Sequence, residues 1–551
     1  NGEPYNHAAL RAELEALGHR PRTHIAAEAA LHGYEEWGPA GALSRLRGMF
    51  ALALWDENQQ QLFVARDRFG IKPLYYAEHA GRLYFASEIK AILADPQFPR
   101  AVNTTALQAM LTLGFVPGPA TMFKGIYKLP PAHFLLARNG SFQIKKYWQL
   151  DYHQNGRLAE KEAVEQFMAL LQESVKIRLM SEVPLGALLS GGLDSGTLVA
   201  LMQAGMERRL KTVSIGFAQA DYDETQFSQT LAQFISTDHH PITFTKADFA
   251  VYPQMMRHLE APQCSATALP IYRLYQACRQ AGLTVVLTGE GADELLGGYH
   301  WHKGDALMRP LLNLPAALRR LLAASPLPMS AAARRVLARG ERAVATRYRD
   351  WLEVGDSGYR QRLFSAGLQG SLRQNGFNPL LAGWVEHLAG LKSNAPLHQM
   401  LWLETRTRMV DFINFEVDKM SMASSIEARV PFLDHKLWEF CAGLPAHYKL
   451  RGRVDKYLLR QATKDILPER IRTRRKKGLA SPYARWLEAE HLPEWAEELL
   501  TRRSLRQSGL FDPSTVQQLR RAHRAGQPHL GPLLMGVLST QVWYDCFIKS
   551  T

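Results

Sequence analysis

Residues 1 to about 90 alternate short apolar runs with turn signals. Residues 49–55 and 61–66 read as strands joined by the polar turn Asp56-Glu57-Asn58, and residues 83–86 as another strand leading into a helix near Ser87-Glu88. This pattern predicts part of a mostly β layer with helices packed on it. The Pro- and Gly-rich segments Phe115-Val116-Pro117-Gly118-Pro119 and Leu129-Pro130-Pro131 mark a change of organisation before a short strand expected around Tyr147-Trp148, so a domain boundary is expected at about residue 155. Beyond it, an amphipathic helix over 164–179 precedes a buried apolar run over 185–189, a Gly-rich turn and a helix over 194–204. Strand-like 212–217, helical 224–234, and apolar runs at 242–245 and 283–287 continue the alternation, which predicts a parallel sheet covered on both faces. After about residue 300 the chain reads as largely helical, without an internal repeat or low-complexity tract.

At 551 residues the chain is long enough for two or more domains. Its 46% hydrophobic and 21% charged content is that of a soluble globular protein, and charges interrupt every apolar run, so no transmembrane segment is expected. The start Asn1-Gly2-Glu3-Pro4 has neither an initiator Met nor a secretory pattern and suggests a chain that begins inside a longer protein. Four cysteines, Cys264, Cys278, Cys441 and Cys546, carry neither zinc spacing nor disulfide density, so zinc is not expected and a reducing cytoplasm is the natural compartment. The formal charge of +14 fits either nucleic-acid binding or an electropositive cleft for ATP and an acidic substrate; the basic residues cluster at 472–477 and 334–349.

The most informative segment is Ser190-Gly191-Gly192-Leu193-Asp194-Ser195, between a buried strand and a helix start. Two glycines let the backbone turn so that successive N–H groups face an anion, and the helix N-terminus adds partial positive charge. The segment lacks a Walker ending and is similar to the pyrophosphate-binding loop of ATP pyrophosphatases; a plain strand-to-helix turn is the alternative. A second segment, Thr288-Gly289-Glu290-Gly291-Ala292-Asp293-Glu294 followed by Gly297-Gly298-Tyr299, also follows a buried apolar strand. In open α/β sheets both loops line one crevice at the strands' carboxyl ends. Asp194 and Asp293 could hold Mg²⁺ beside nucleotide phosphates, the alternative being acids that decorate a helix N-terminus.

These loops, with Ser214-Ile215-Gly216-Phe217, Val417-Asp418-Lys419-Met420-Ser421-Met422-Ala423 and Glu427-Ala428-Arg429-Val430-Pro431-Phe432-Leu433-Asp434, resemble the synthetase domain of the glutamine-dependent asparagine synthetases. The resemblance extends through Asn1-Gly2-Glu3, Arg66-Asp67-Arg68-Phe69-Gly70-Ile71-Lys72-Pro73-Leu74-Tyr75 and Ala86-Ser87-Glu88-Ile89-Lys90-Ala91, and covers essentially the whole chain. It implies an α/β protein in two parts. Residues 1–155 would be a truncated N-terminal-nucleophile amidotransferase domain, an α+β sandwich. Residues 156–551 would be a parallel-sheet ATP-pyrophosphatase synthetase domain of the adenine nucleotide α-hydrolase type, with a helical C-terminal part.

The same resemblance implies that Leu188, Ile215, Thr288 and Gly289 border the adenosine of ATP, that Ser190, Gly191, Gly192, Asp194 and Ser195 surround its phosphates, and that Asp194 and Asp293 hold Mg²⁺. Lys456 would meet the departing pyrophosphate. Glu290 would serve amide formation. Glu427 and Arg429 would orient the acid substrate. The implied chemistry is an acyl-adenylate formed from aspartate or a related carboxylate and captured by ammonia, in a site that excludes water. A homodimer and an interdomain ammonia channel are further expectations from the family, with no membrane partner and nucleic acid the weaker reading.

The chain departs from the family in its front half. The family's first residue is a nucleophilic cysteine, yet here Asn1 begins the chain and no cysteine precedes Cys264. Asn1, Gly2 and Glu3 are the remnant of the glutamine site. Where the family reads Thr-x-Ser-Asp-Thr-Glu, this chain has Thr23-His24-Ile25-Ala26-Ala27-Glu28, which removes the carboxylate that grips the glutamine ammonium. The expectation is a fragment of a longer protein with a degenerate glutaminase site. A second departure, Leu259-Glu260-Ala261-Pro262-Gln263-Cys264-Ser265, removes acids beside the substrate pocket and leaves the acceptor acid open. The competing classes are a tRNA-modifying enzyme with the same loop, which strong salt-dependent RNA binding would reveal, and a non-catalytic protein that keeps the fold.

Overall fold

The computed structural model describes residues 1–152, 158–375, 383–384, 388, 390–475, 478–479, 481–488 and 492–549; the boundary expected near residue 155 lies outside them. Thirteen strands occur among these residues: β1 (Gly2–Pro4), β2 (Gly48–Asp56), β3 (Gln61–Arg66), β4 (Tyr75–His79), β5 (Arg82–Ala86), β6 (Ile126–Lys128), β7 (His133–Arg138), β8 (Ser141–Lys146), β9 (Leu185–Leu188), β10 (Lys211–Phe217), β11 (Asp238–Phe244), β12 (Val285–Leu287) and β13 (Glu427–Arg429).

The front half is a sandwich built on alternation. β1-β2-β3-β7-β8 form an antiparallel sheet, and β5-β4-β6 a smaller one. Period-two side chains divide the larger sheet into two faces. Phe50, Phe63, Ala65 and Phe134 pack under the helices His7–Ala16 and Ala26–Arg45, through Leu10, Ala29, Tyr34 and Leu43. Ala51, Val64 and Leu135 face Leu74 and Leu129, with Tyr76 and Leu83 of the smaller sheet packed alongside. The strand expected around Tyr147-Trp148 ends instead at Lys146. Those two aromatics anchor the departing chain: Tyr147 Oη donates to Arg66 O at 3.0 Å, and Trp148 Nε1 to Glu439 at 2.7 Å.

The back half holds an all-parallel sheet in the order β11-β10-β9-β12-β13. Counted from its own first strand this is the order 3-2-1-4-5, whose direction reverses between β9 and β12. Helices Glu160–Arg178, Leu193–Ala204, Thr225–Ile235 and Ala268–Gln280 alternate with the strands. β11 begins four residues before the apolar run at Ile242, because an edge strand tolerates the polar start Asp238-His239-His240. The C-terminal region is helical, centred on Gly531–Tyr544, whose Leu533, Leu534, Met535, Val537 and Leu538 are fully buried. A helix apolar on every side is a core helix; among the described residues no helix is long and apolar enough to cross a membrane.

Buried ion pairs join the halves. Lys72 Nζ meets Asp418 at 2.9 Å, Lys128 Nζ meets Asp411 at 2.8 Å, and Arg47 grips Asp434 at 2.9 and 3.0 Å. The segment Val417-Asp418-Lys419 thus faces the front half: Lys419 pairs with Glu88 at 3.3 Å and with Glu260 at 2.5 Å. The run Arg66-Asp67-Arg68 organises the other side of this seam. Four backbone N–H groups, of Phe50, Phe69, Ile71 and Lys72, converge on the buried Asp67 carboxylate.

Candidate active site

The loop after β9 turns on Gly191, whose φ is +73°. A Cβ on Gly191 would stand 2.5 Å from Ser228 N, so only glycine fits that close approach. Ser190 N donates to Ser195 Oγ at 3.2 Å, and the two hydroxyls lie 2.9 Å apart, which closes the loop on the first turn of helix Leu193–Ala204. The loop after β12 turns at Gly291, with φ +95°, into the short helix Ala292–Leu296. The loops touch: a Cβ on Gly289 would lie 3.2 Å from Asp194 Cβ. Because β9 and β12 are the adjacent strands where the sheet order reverses, both loops flank the switch point at which open α/β sheets bind ligands.

Lys456 completes the arrangement. It sits at φ +48° and caps helix Tyr457–Ala462. Its ammonium lies 2.6 Å from Asp194 Oδ2 and 2.7 Å from Asp293 Oδ1, with all three residues almost fully buried. A Cβ on Gly298 would fall 2.0 Å from Asp293 Oδ1 and 2.1 Å from Lys456 Cε, so the second glycine of Gly297-Gly298 makes room for the pair. Glu290 is half-buried on the same loop and accepts a hydrogen bond from Thr288 Oγ1.

These groups surround a cavity of about 340 Å³. Leu188, Ser190, Gly192, Asp194, Ser195, Ile215, Thr288, Gly289, Glu290, Asp293 and Lys456 all line it. Gly191 does not; its carbonyl accepts from Arg474 at 3.1 Å. Glu427 and Arg429 lie on β13, away from the cavity lining. The Arg429 guanidinium is committed to Glu427 at 2.7 Å and to the carbonyls of Arg178 and Met180 at 2.7 and 2.6 Å. Both residues face the interdomain seam, where Arg429 lies over the Tyr5 ring and Glu427 helps to push the Glu3 carboxyl upward, after burial itself. Glu3 follows Gly2, whose φ of +113° lets β1 pair tightly with β2, and Asn1 Nδ2 donates to Ser87 Oγ at 3.1 Å.

Several cavity residues had no sequence signal of their own. Arg408 is half-buried over the Tyr299, Trp301 and Phe412 rings, 3.1 Å from Glu404 and 4.0 Å from Glu294. Burial, then repulsion by Asp293 and Glu404, raises the Glu294 carboxyl, while Tyr299 Oη donates to it. Burial also pushes Glu416, another lining residue, up to about 7, against a 2.7 Å hydrogen bond from Thr267 Oγ1. Arg474 and Arg475 also line the cavity; the basic cluster at 472–477 was their only trace in the sequence. The lining thus combines the cations Lys456, Arg408, Arg474 and Arg475 with the acids Glu294 and Glu416, whose carboxyls burial raises.

A crevice at the switch point of a parallel sheet, walled by a glycine-rich loop and an acidic loop and joined to an antiparallel amidotransferase-like sandwich, defines a two-domain nucleotide-dependent synthetase. The asparagine synthase family model matches residues 166–545 and the glutamine amidotransferase domain model matches residues 1–148, and the chain belongs to the asparagine synthase family of ATP-dependent amide ligases. It is similar to asparagine synthetase [glutamine-hydrolyzing] 1 of Bacillus subtilis, 30% identical over 100% of this chain and 85% of the relative. A putative asparagine synthetase [glutamine-hydrolyzing] of Mycobacterium tuberculosis is 33% identical over 100% of this chain and 84% of its own length. Amidase chyE of Penicillium rubens is 29% identical over 94% of this chain and 81% of that protein.

Proposed function

We propose that the chain condenses a carboxylic acid, aspartate by default, with ammonia at the expense of ATP, through an acyl-adenylate. The observation that carries this reading is the Lys456 ammonium held between Asp194 and Asp293 at 2.6 and 2.7 Å, beside the Ser190 to Ser195 loop. The substrate carboxylate attacks the α-phosphorus of ATP, the bond to the β-phosphate oxygen breaks, and pyrophosphate leaves. Lys456 offsets the charge that develops on the leaving group, and the loop N–H groups hold the phosphate oxygens. Leu188 and Ile215 offer apolar surface to the adenine, with Thr288 and Gly289 beside it.

The convergence of two buried carboxylates on one cation fits a magnesium ion that they would hold, which would neutralise phosphate charge when bound. Glu290, which also lines the cavity, takes the proton from the attacking ammonia or orients the adenylate, and AMP departs as the C–N bond forms. Glu427 and Arg429 act from the seam, aligning the acid substrate through the β12–β13 edge rather than by direct lining of the cavity. Ammonia is the immediate nitrogen donor, since Ala26 stands where a carboxylate would bind the glutamine ammonium.

The test measures aspartate-dependent pyrophosphate release from ATP and Mg²⁺ with ammonium or glutamine, with the product identified by mass. Asparagine from ammonium and not from glutamine is expected. No aspartate-dependent pyrophosphate would remove aspartate as the acceptor and turn the search to other acids.

A further inference from the structure

We propose that His19, His32 and Glu35 form a site for a divalent transition-metal ion of the zinc class, on the outer face of the amidotransferase-like half. The three side chains come from two pieces of chain. His19 lies in the loop after helix His7–Ala16, while His32 and Glu35 lie on helix Ala26–Arg45. Their donor atoms all fall within 4.8 Å of one another. His19 Nδ1 and His32 Nδ1 are 3.1 Å apart, and Glu35 Oε2 lies 3.1 Å from His32 Nδ1 and 3.9 Å from His19 Nδ1. A tetrahedral ion with bonds of about 2.0–2.1 Å has ligand-to-ligand edges of about 3.3–3.4 Å, the size of this triangle.

The outer partners strengthen the assignment. His19 Nε2 stands 3.0 Å from Glu36 Oε2, and His32 Nε2 stands 3.8 Å from Glu28 Oε1. Glu36, accepting a hydrogen bond from His19 Nε2–H, favours the tautomer in which His19 Nδ1 carries a lone pair. His19 Nδ1 then offers its lone pair toward His32 Nδ1 at 3.1 Å and Glu35 Oε2 at 3.9 Å, where a bound ion would replace the hydrogen bonds that otherwise join the three side chains. Two imidazoles and one carboxylate select a borderline ion over Mg²⁺ or Ca²⁺, which favour all-oxygen shells. Glu35 is about half exposed, with 55% of its side chain accessible, which leaves a fourth position for water. The site is legible only in three dimensions, because no cysteine takes part and the ligands' spacing matches no short motif.

The ion clips the segment 19–25 to the helix. Glu28, behind His32, also accepts from Arg22 N at 2.7 Å, Thr23 N at 2.6 Å and Thr23 Oγ1 at 2.5 Å. Metal binding therefore stiffens the stretch from Thr23 to Glu28 that carries Ala26.

The chelator-stripped full chain is titrated with Zn²⁺ by calorimetry and with Co²⁺ by visible absorption, with excess Mg²⁺ present to occupy carboxylate-only sites. One equivalent is expected, with a Co²⁺ spectrum of low coordination number and slowed amide hydrogen exchange over residues 19–28. Glu36→Gln should weaken Zn²⁺ binding about 10- to 100-fold, the double variant His19→Ala/His32→Ala should abolish it, and His24→Ala should leave it unchanged. Retention of the stoichiometry and the Co²⁺ spectrum in the double variant, with a circular dichroism melt like that of the parent, would overturn the site. Loss of binding in His24→Ala would overturn the ligand set.

Discussion

Replacing Lys456 by Met removes one positive charge and keeps most of the apolar stem that lies along Gly298. In the parent the ammonium is within 2.7 Å of both Asp194 and Asp293, and each of those residues is only 7% exposed. The variant leaves two buried carboxylates facing each other. Removing one partner of a buried ion pair costs about 3–5 kcal/mol, mostly the penalty of the charge left behind. At an unfolding entropy of about 2.1 cal/mol/K per residue, that loss lowers the melting temperature of the 551-residue chain by about 3–4 °C. Mg²⁺ should restore part of the loss in Lys456→Met, because the two carboxylates that the reading assigns to Mg²⁺ are then left without the ammonium. Pyrophosphate release should fall about 10²- to 10³-fold, the size of losing one preorganised charge at a developing anion. The assays are thermal melts with and without Mg²⁺ and a coupled pyrophosphate measurement. A melting temperature within 1 °C of the parent, equivalent to about 1 kcal/mol at that entropy, together with turnover within about threefold, would refute the bridging role.

Three further substitutions probe separate parts of the site. Glu290→Gln keeps the shape of the loop and should lower amide formation about 10²- to 10⁴-fold, read by product mass, with little change in melting temperature; full activity would remove Glu290 from the amide-forming step. Gly298→Ala places a methyl 2.0 Å from Asp293 Oδ1 and should abolish pyrophosphate release, whereas Gly367→Ala, with nothing within 4 Å, should be silent; equal activity of the two would contradict the close packing. For Glu416, burial raises the folded-state value to about 7 from the ordinary 4.5, so the stability it contributes is full below pH 4.5 and is lost as pH rises through 7. Glu416→Gln should therefore gain on the parent by up to about 3 kcal/mol between pH 5 and 8, and a gap in melting temperature that stays constant with pH would exclude Glu416 as the titrating group.

The two loops were legible because their pattern is local: glycines at a strand-to-helix turn and acids at fixed offsets single out, within a dozen residues each, loops that line one cavity. Family resemblance extended that reading to Lys456, but not to its contacts, which join positions 262 residues apart. Glu294 and Tyr299 fell inside the second motif, but their partners Arg408 and Glu404 were invisible for the same reason, since each alone reads as an ordinary helical residue. β13 is three residues long, too short to show a period, and the sheet forms it because β12 offers a parallel partner. At Tyr147-Trp148 the aromatic composition suggested a strand, but tertiary anchoring won over propensity. Glu427 and Arg429 were grouped with the acid substrate, and only the register of β13 reveals that they point to the seam.

That seam bears on what the front half does. Buried ion pairs are weak sources of stability, because desolvation consumes most of their Coulomb energy, and fixing one register is their best-attested use. Here the paired residues sit on elements that also wall the cavity. Asp411 lies in the π-helical turn Met409–Asn414, whose Phe412 and Ile413 line the cavity, and it accepts from Gly118 N at 2.6 Å and from Lys128 at 2.8 Å. Asp418 and Lys419 lie on the next helix, Phe415–Met422, which presents Glu416 and Val417 to the same space. A rotation of the front half would therefore strand Lys72 and Lys128 in a low-dielectric seam or drag this wall with them. The amidotransferase-like half is in this sense part of the frame of the synthetase site, a role that does not depend on its handling glutamine.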